Sequence, residues 1–197
     1  MKRAVVALIL ASAALWGGLV GAEEVAAPPA EAPERVLVVG DSMAWALANA
    51  LRPLVEQEGG KFRVRSRTSD SIRGYAVNHK MQSDVRETRP DVVIISLGAN
   101  EALVPRPEGL ATYIQRIVKE VGPRECYWVG PPMWRPDTGV VKLLAEHASP
   151  CRFFNSSELT LERRPDGIHP NPEGSKVWAQ AVYDWIKAQR NAPQEAP

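Results

Sequence analysis

The sequence carries three histidines, His79, His147 and His169, so the side chains able to accept a proton near neutral pH are few. His169 stands in Asp166-Gly167-Ile168-His169-Pro170, three residues after a carboxylate. A carboxylate that accepts one imidazole N–H fixes the tautomer and turns the other nitrogen into a base. A base of that kind activates a weak nucleophile such as a serine hydroxyl. Ser42, in Gly40-Asp41-Ser42, is the serine whose surroundings suit it. It follows the unbroken apolar run Val36 to Val39 and precedes an Ala/Leu-rich stretch, so its hydroxyl sits at a strand tip and a helix start. Backbone N–H groups at a helix start favour an anion. Asn100, in Gly98-Ala99-Asn100-Glu101, follows a second apolar run and offers an amide to the same edge.

Each of these residues also has a plainer use. Serine is a good helix N-cap, asparagine caps segments too, and Asp-Gly and His-Pro are ordinary turn pairs. Asp41 reads as a turn residue. His79 lies in a polar, basic helix and His147 ends an amphipathic one, so both read as solvated. Arg63, Arg65 and Arg67 alternate along a strand and loop and read as a solvated edge.

The elements that must position the chemical residues follow from periodicity and breakers. After the Val36–Val39 strand, Met43 to Leu54 is helical, with Ala44, Leu47, Ala48 and Leu51 on one face. Gly59-Gly60 leads into a strand at Phe62 to Val64, and the polar stretch Arg65 to Gly74 reads as a loop. A helix over Val77 to Arg86 and a strand over Val92 to Ser96 come next, the latter apolar enough to be covered on both faces. The helix Glu108 to Val121 is stopped by Gly122-Pro123. The strand Cys126 to Val129 opens into the stiff loop Gly130 to Trp134. A helix over Thr138 to His147, a strand over Arg152 to Phe154, and a final helix from Pro172 to Arg190 burying Val177, Trp178, Ala181, Val182, Trp185 and Ile186 complete the chain. Strands alternating with helices argue for a parallel α/β sheet covered on both sides. Ser42, Asn100 and the Asp166–His169 loop then all follow strands and can meet along one edge.

The flanks are different in kind. Residues 1–22 have a basic start (Lys2, Arg3), an apolar run from Ala4 to Leu15 and the small-residue site Val20-Gly21-Ala22, the pattern of a cleaved signal peptide. Its apolar run is short for a membrane span and is broken by glycines, so stable membrane insertion is not expected after cleavage. Residues 23–33 form a Pro/Ala linker, 34–190 the folded domain and 191–197 a frayed tail. Without Lys2 and Arg3, the 24 basic residues no longer outnumber the 23 acidic ones and the net charge is −1, which argues against nucleic-acid binding. Export to the periplasm or beyond places Cys126 and Cys151 in an oxidising compartment. Each precedes an apolar strand-like run, so the two can lie level on adjacent parallel strands and form a disulfide; the alternative is two buried thiols.

Taken together, Gly40-Asp41-Ser42, Gly98-Ala99-Asn100-Glu101 and Asp166 to His169 resemble the blocks of the SGNH hydrolases, the GDSL-like esterases and lipases. The resemblance spans Val36 to Ile186. It implies a three-layer flavodoxin-like α/β sandwich with a five-stranded parallel sheet. It also implies Ser42 as nucleophile, His169 as base and then acid, and Asp166 as its orienting partner. The oxyanion would be met by the N–H of Ser42 and the amide of Asn100. Glu101 stands where the family has aspartate. The second family block offers a glycine N–H, and by position it falls on Thr68 to Ile72, which has no glycine; because the donor is main chain, the N–H of Asp70 or of a neighbour can serve instead. No metal or cofactor is implied.

Trp134, in the loop beside the presumed site, is the first candidate for substrate contact, and Trp45 a lesser one. Trp178 and Trp185 have core spacing and Trp16 lies in the signal segment. The reading is an exported serine esterase acting on a short acyl ester, such as O-acetyl on envelope carbohydrate, with an acylated polysaccharide as partner. Acyl transfer by the same residues, or a catalytically silent carbohydrate-binding or assembly protein, are the alternatives.

Overall fold

Val36, Val38 and Leu37, Val39 point to opposite faces of one strand, and all are buried, so this strand has to lie between two cores. In the computed structural model, which describes residues 32–192, that strand is β1 (Arg35–Gly40). The signal segment 1–22, most of the 23–33 linker and residues 193–197 of the tail lie outside the described residues. β1 is joined in parallel by β2 (Lys61–Ser66) on one side and β3 (Val92–Ser96) on the other, followed by β4 (Glu125–Val129) and β5 (Arg152–Phe154). The order β2-β1-β3-β4-β5 is that of the flavodoxin-like sandwich. Its switch point, where the chain reverses direction across the sheet, falls between β1 and β3.

Alternation then sorts the side chains. Val36, Val38, Val92, Ile94, Tyr127 and Val129 pack under α1 (Ser42–Gln57) and α6 (Pro172–Asn191). Leu37, Val39, Val93, Ile95 and Trp128 face α2 (Ile72–Val77), α3 (Lys80–Thr88), α4 (Ala111–Val121) and α5 (Val140–His147). Trp128 is fully buried, and its indole N–H donates to the Leu97 carbonyl at 3.2 Å, fixing the chain just beyond β3. Among the described residues no helix is long and apolar enough to cross a membrane.

Five local expectations are corrected. The polar stretch Arg65 to Gly74 is not all loop: β2 is an edge strand, where exposed arginines fit, and runs on to Ser66, while Ser71 caps α2 by accepting the Gly74 N–H at 3.0 Å. The helix placed over Val77 to Arg86 is two helices, broken where His79 adopts a left-handed conformation (φ 49°). Asp137 accepts the N–H groups of Gly139 and Val141, so α5 begins at Val140 rather than at Thr138. Val177, placed in the core by its spacing, is 56% exposed on the outer side of α6. Asn191, at the start of the expected tail, is still helical.

Cys126 and Cys151 are buried and joined by a disulfide across 25 residues, where β4 and the start of β5 run level. A loop of that length, closed in the unfolded chain, is worth about 3 kcal/mol. The double variant Cys126→Ser/Cys151→Ser should therefore unfold at lower urea concentration than the oxidised protein, and added reductant should shift only the latter. Coincident urea curves for the two proteins would show that the bridge contributes nothing.

Candidate active site

The site begins with a steric condition at the end of β1. Gly40 has φ +146°, and a Cβ there would be driven into the Ser96 carbonyl oxygen and the Ala44 methyl. Only glycine lets β1 end this close to β3, with the Asp41 N–H donating to the Ser96 carbonyl at 3.3 Å. The chain then enters α1 at once. Asp41, not Ser42, is the N-cap, its Oδ1 accepting the Met43 N–H at 2.8 Å. Ser42 is thereby the first residue of the helix, half-buried, with an N–H that has no helical carbonyl to donate to.

His169 reaches the same point from the loop before α6. Its Nε2 lies 2.8 Å from Ser42 Oγ, and its Nδ1 lies 2.8 Å from Asp166 Oδ2. With the carboxylate accepting the Nδ1 proton, Nε2 is left to accept from the serine. Asp166 Oδ1 also accepts the N–H groups of Ile168 (2.8 Å) and His169 (2.9 Å), so one carboxylate holds both the ring and its backbone. These contacts, the hydrogen bond to His169 first, hold the Asp166 carboxyl down at about 2. Asp166 thus stays ionised wherever His169 can act as a base.

The loop is secured by a residue that sequence reasoning passed over. Arg163 donates to the carbonyls of Ile168, Pro132 (3.1 Å) and Met133 (2.8 Å), stitching the His169 loop to the loop after β4. Its only sequence signal was position, three residues before Asp166. Trp134 lies in that second loop, partly buried against both cores, so it supports the loop more than it faces solvent.

Asn100, after β3, comes to the same edge. Its Nδ2 donates to the Asp70 carbonyl at 2.7 Å and lies 3.4 Å from the Thr68 carbonyl, the latter at the limit of hydrogen-bond reach. One amide proton is therefore engaged and the second is only weakly held. Asp70 is not a free oxyanion donor: its N–H closes a turn onto the Arg67 carbonyl at 3.0 Å, and its side chain pairs with Lys80. In this chain Asp70 serves as an acceptor that anchors Asn100. Of the other two histidines, His79 contacts Glu120 through Nδ1 at 2.5 Å, and His147 ends α5; neither approaches Ser42 through any hydrogen bond.

Beneath the serine lie two buried carboxyls. Glu101 Oε1 accepts the Ile72 N–H at 2.8 Å, tying the start of α2 to the turn after β3, while Glu101 Oε2 and Asp41 Oδ2 have no partner among the described residues. Burial pushes Asp41 up to about 7, with the Glu101 charge adding to the rise, and burial also raises Glu101. A raised carboxyl keeps its proton in the folded protein where the unfolded chain releases its own, so the contribution of Asp41 to stability is greatest in acid and is lost as pH rises from about 4 to about 7. Asp41→Asn keeps an acceptor for Met43 and cannot ionise. Its urea midpoint should fall less between pH 5 and pH 8 than that of the wild type, a difference on the order of 2 kcal/mol. Parallel pH dependences would exclude a protonated Asp41.

No protein-family profile matches the chain. Among curated proteins, Protein BcsX of Komagataeibacter xylinus is 24% identical over 131 residues, or 57% of this chain and 50% of that protein. The chain thus spans about half the length of that relative. Solved structures are closer in shape. TesA superposes with a TM-score of 0.66 at 21% identity, covering 79% of this chain and 99% of TesA. The acetyl xylan esterase AlAXEase gives 0.62 at 14% identity, covering 77% and 99%. A putative lipolytic protein of the G-D-S-L family from Desulfitobacterium hafniense gives 0.58 at 17% identity, covering 76% and 98%. Likeness at these identities is likeness of architecture, and by it the chain has the fold of the SGNH, or G-D-S-L, lipases and esterases.

Proposed function

We propose that the chain is a serine hydrolase that cleaves a carboxylic ester through an acyl-Ser42 intermediate. The observation that carries this reading is the unbroken chain of contacts from Ser42 Oγ through both nitrogens of His169 to Asp166, each 2.8 Å long. Ser42 Oγ attacks the ester carbonyl as His169 Nε2 takes its proton. Negative charge on the former carbonyl oxygen is met by the Ser42 N–H at the start of α1 and by the second amide proton of Asn100. His169 then returns the proton to the departing alcohol. Water, deprotonated by the same nitrogen, attacks the acyl group and releases the acid, restoring Ser42.

The acyl group is short, and the ester is carried by an exported carbohydrate. Support for this comes from the signal-like leader, the disulfide and the likeness in fold to a protein described as an acetyl xylan esterase. Ser42 is half-buried and Asp166 exposed, so the site is open and an alcohol could stand in for water. The engaged N–H of Asp70 favours a second reading, a binding protein that retains the site without turnover. Labelling separates the two.

A fluorophosphonate probe should label the wild-type protein and fail on Ser42→Ala; an unlabelled wild type beside a reactive esterase would leave only the binding reading. On p-nitrophenyl acetate, Ser42→Ala and His169→Ala should each lose about 1,000-fold or more in kcat, and Asn100→Ala about 100- to 1,000-fold. Because Asp166 is held near 2, it should contribute no ionisation of its own to the acid limb of kcat/KM above that pH. A second acid-limb ionisation that disappears in Asp166→Asn would contradict this.

A further inference from the structure

Ser42, Trp45, Asn49 and Pro53 are spaced three, four and four residues apart, so they form one stripe along the surface of α1. The stripe starts at the nucleophile and runs about 16 Å down the helix. Its part below the nucleophile, from Trp45 to Pro53, lines a cavity of about 300 Å³, which Arg164 and, from the first turns of α6, Pro172 and Lys176 also line. The cavity therefore adjoins the catalytic frame: α1 carries Ser42 one turn above it, and Arg164 and α6 flank the loop that carries Asp166 and His169.

Trp45 is 51% exposed, the guanidinium of Arg164 lies 5.9 Å from its ring centroid, and neither is needed to close a core. Among the described residues Arg164 has no carboxylate partner, whereas Lys176 is paired with Glu173 at 2.9 Å. No acidic side chain belongs to the walls of the cavity. A half-exposed indole with an unneutralised cation against it suits a ligand with an apolar face and a negative charge. The groove is apolar along Trp45, Ala46, Ala50 and Pro53, but it is open and bordered by two cations and an amide, where an acyl chain would want closed walls. A pyranose ring bearing a carboxylate meets all three features, its C–H face on the indole, its hydroxyls on Asn49 and its carboxylate on Arg164.

We propose that this groove is a subsite for an acidic sugar ring, the part of an acylated polysaccharide that presents its ester to Ser42. The proposal rests on the hydrolase reading for the identity of the reaction but not for the binding. It is tested on Ser42→Ala protein, which cannot turn over, by calorimetric titration with an unacylated oligogalacturonate and with a neutral cello-oligosaccharide of equal length. The acidic oligomer should bind, more weakly as salt is raised. Trp45→Ala and Arg164→Gln should each weaken it about ten-fold, and Trp45→Phe should restore most of the loss at position 45. Both side chains are exposed, so thermal melting should be unchanged in each variant.

Equal affinity for the neutral oligomer, no response to Trp45→Ala, or no binding of the acidic oligomer would each overturn the subsite. So would Trp45-dependent binding of a medium-chain fatty acid in its place. Failure of the fluorophosphonate to label Ser42 in the wild type would remove the hydrolase reading while leaving the binding result to stand or fall by itself.

Discussion

The close approach of β1 and β3 at their C-terminal ends is the constraint on which the rest of the molecule depends. A side chain at residue 40 would occupy the space of the Ser96 carbonyl. With glycine there, the chain leaves the sheet and enters α1 within two residues, and Asp41 is drawn inward to cap the helix. Ser42 then has no freedom of place: its hydroxyl stands over the switch point of the sheet and its N–H points out of a helix end. The position is set by packing of main chain, which explains why a serine can be held so close to a base without the chain being strained by any bond to it.

The second requirement is that a loop far along the sequence arrive at the same point to within a hydrogen bond. His169 is 127 residues from Ser42. Its loop is folded upon itself by Asp166 and by the hydrogen bonds linking Arg164 to Gly167 and His169, and it is aimed by Arg163, which ties it to the loop after β4. Burial lowers the Arg163 pKa, the mark of a cation that has exchanged water for carbonyl oxygens. Nη1 reaches Ile168 while Nη2 reaches Pro132 and Met133, a span over two nitrogens that the single ammonium of a lysine does not offer, so arginine is specified by geometry as well as by charge.

Much of this was legible in the sequence. Val36–Val39 and Val92–Ile95 could only be strands covered on both faces, and the breakers Gly122-Pro123 and Gly59-Gly60 fell where elements end. The parallel order and the meeting of polar residues at one edge followed. Where the reading failed, a tertiary contact had overridden composition. The arginines of β2 look like loop because that strand is at the sheet edge, and the break at His79 has no glycine or proline to announce it. Val177 had helical spacing for the core but lies on the outer flank, since a helix of 20 residues shows only one stripe to the sheet. Arg163 was invisible because its partners are carbonyls, and any residue supplies those.

The oxyanion region shows how sequence and structure constrain each other. The Thr68–Ile72 stretch has no glycine to offer a donor, and by position the main chain of Asp70 is the candidate to replace it. Instead, Asp70 turns its N–H to Arg67 and its carbonyl to Asn100. The loop therefore adds no donor of its own; it holds the amide of Asn100, the donor proposed for the oxyanion. A side-chain amide is free to rotate, and the bond to Asp70, with the Thr68 carbonyl at the limit of reach, restrains that rotation. Lys80 holds Asp70 from the far side and Glu101 holds Ile72, so the anchor is itself fastened from two directions. If the proposed oxyanion site has two donors rather than three, its rate depends more heavily on how rigidly each is held, and the interactions around this loop restrain Asn100.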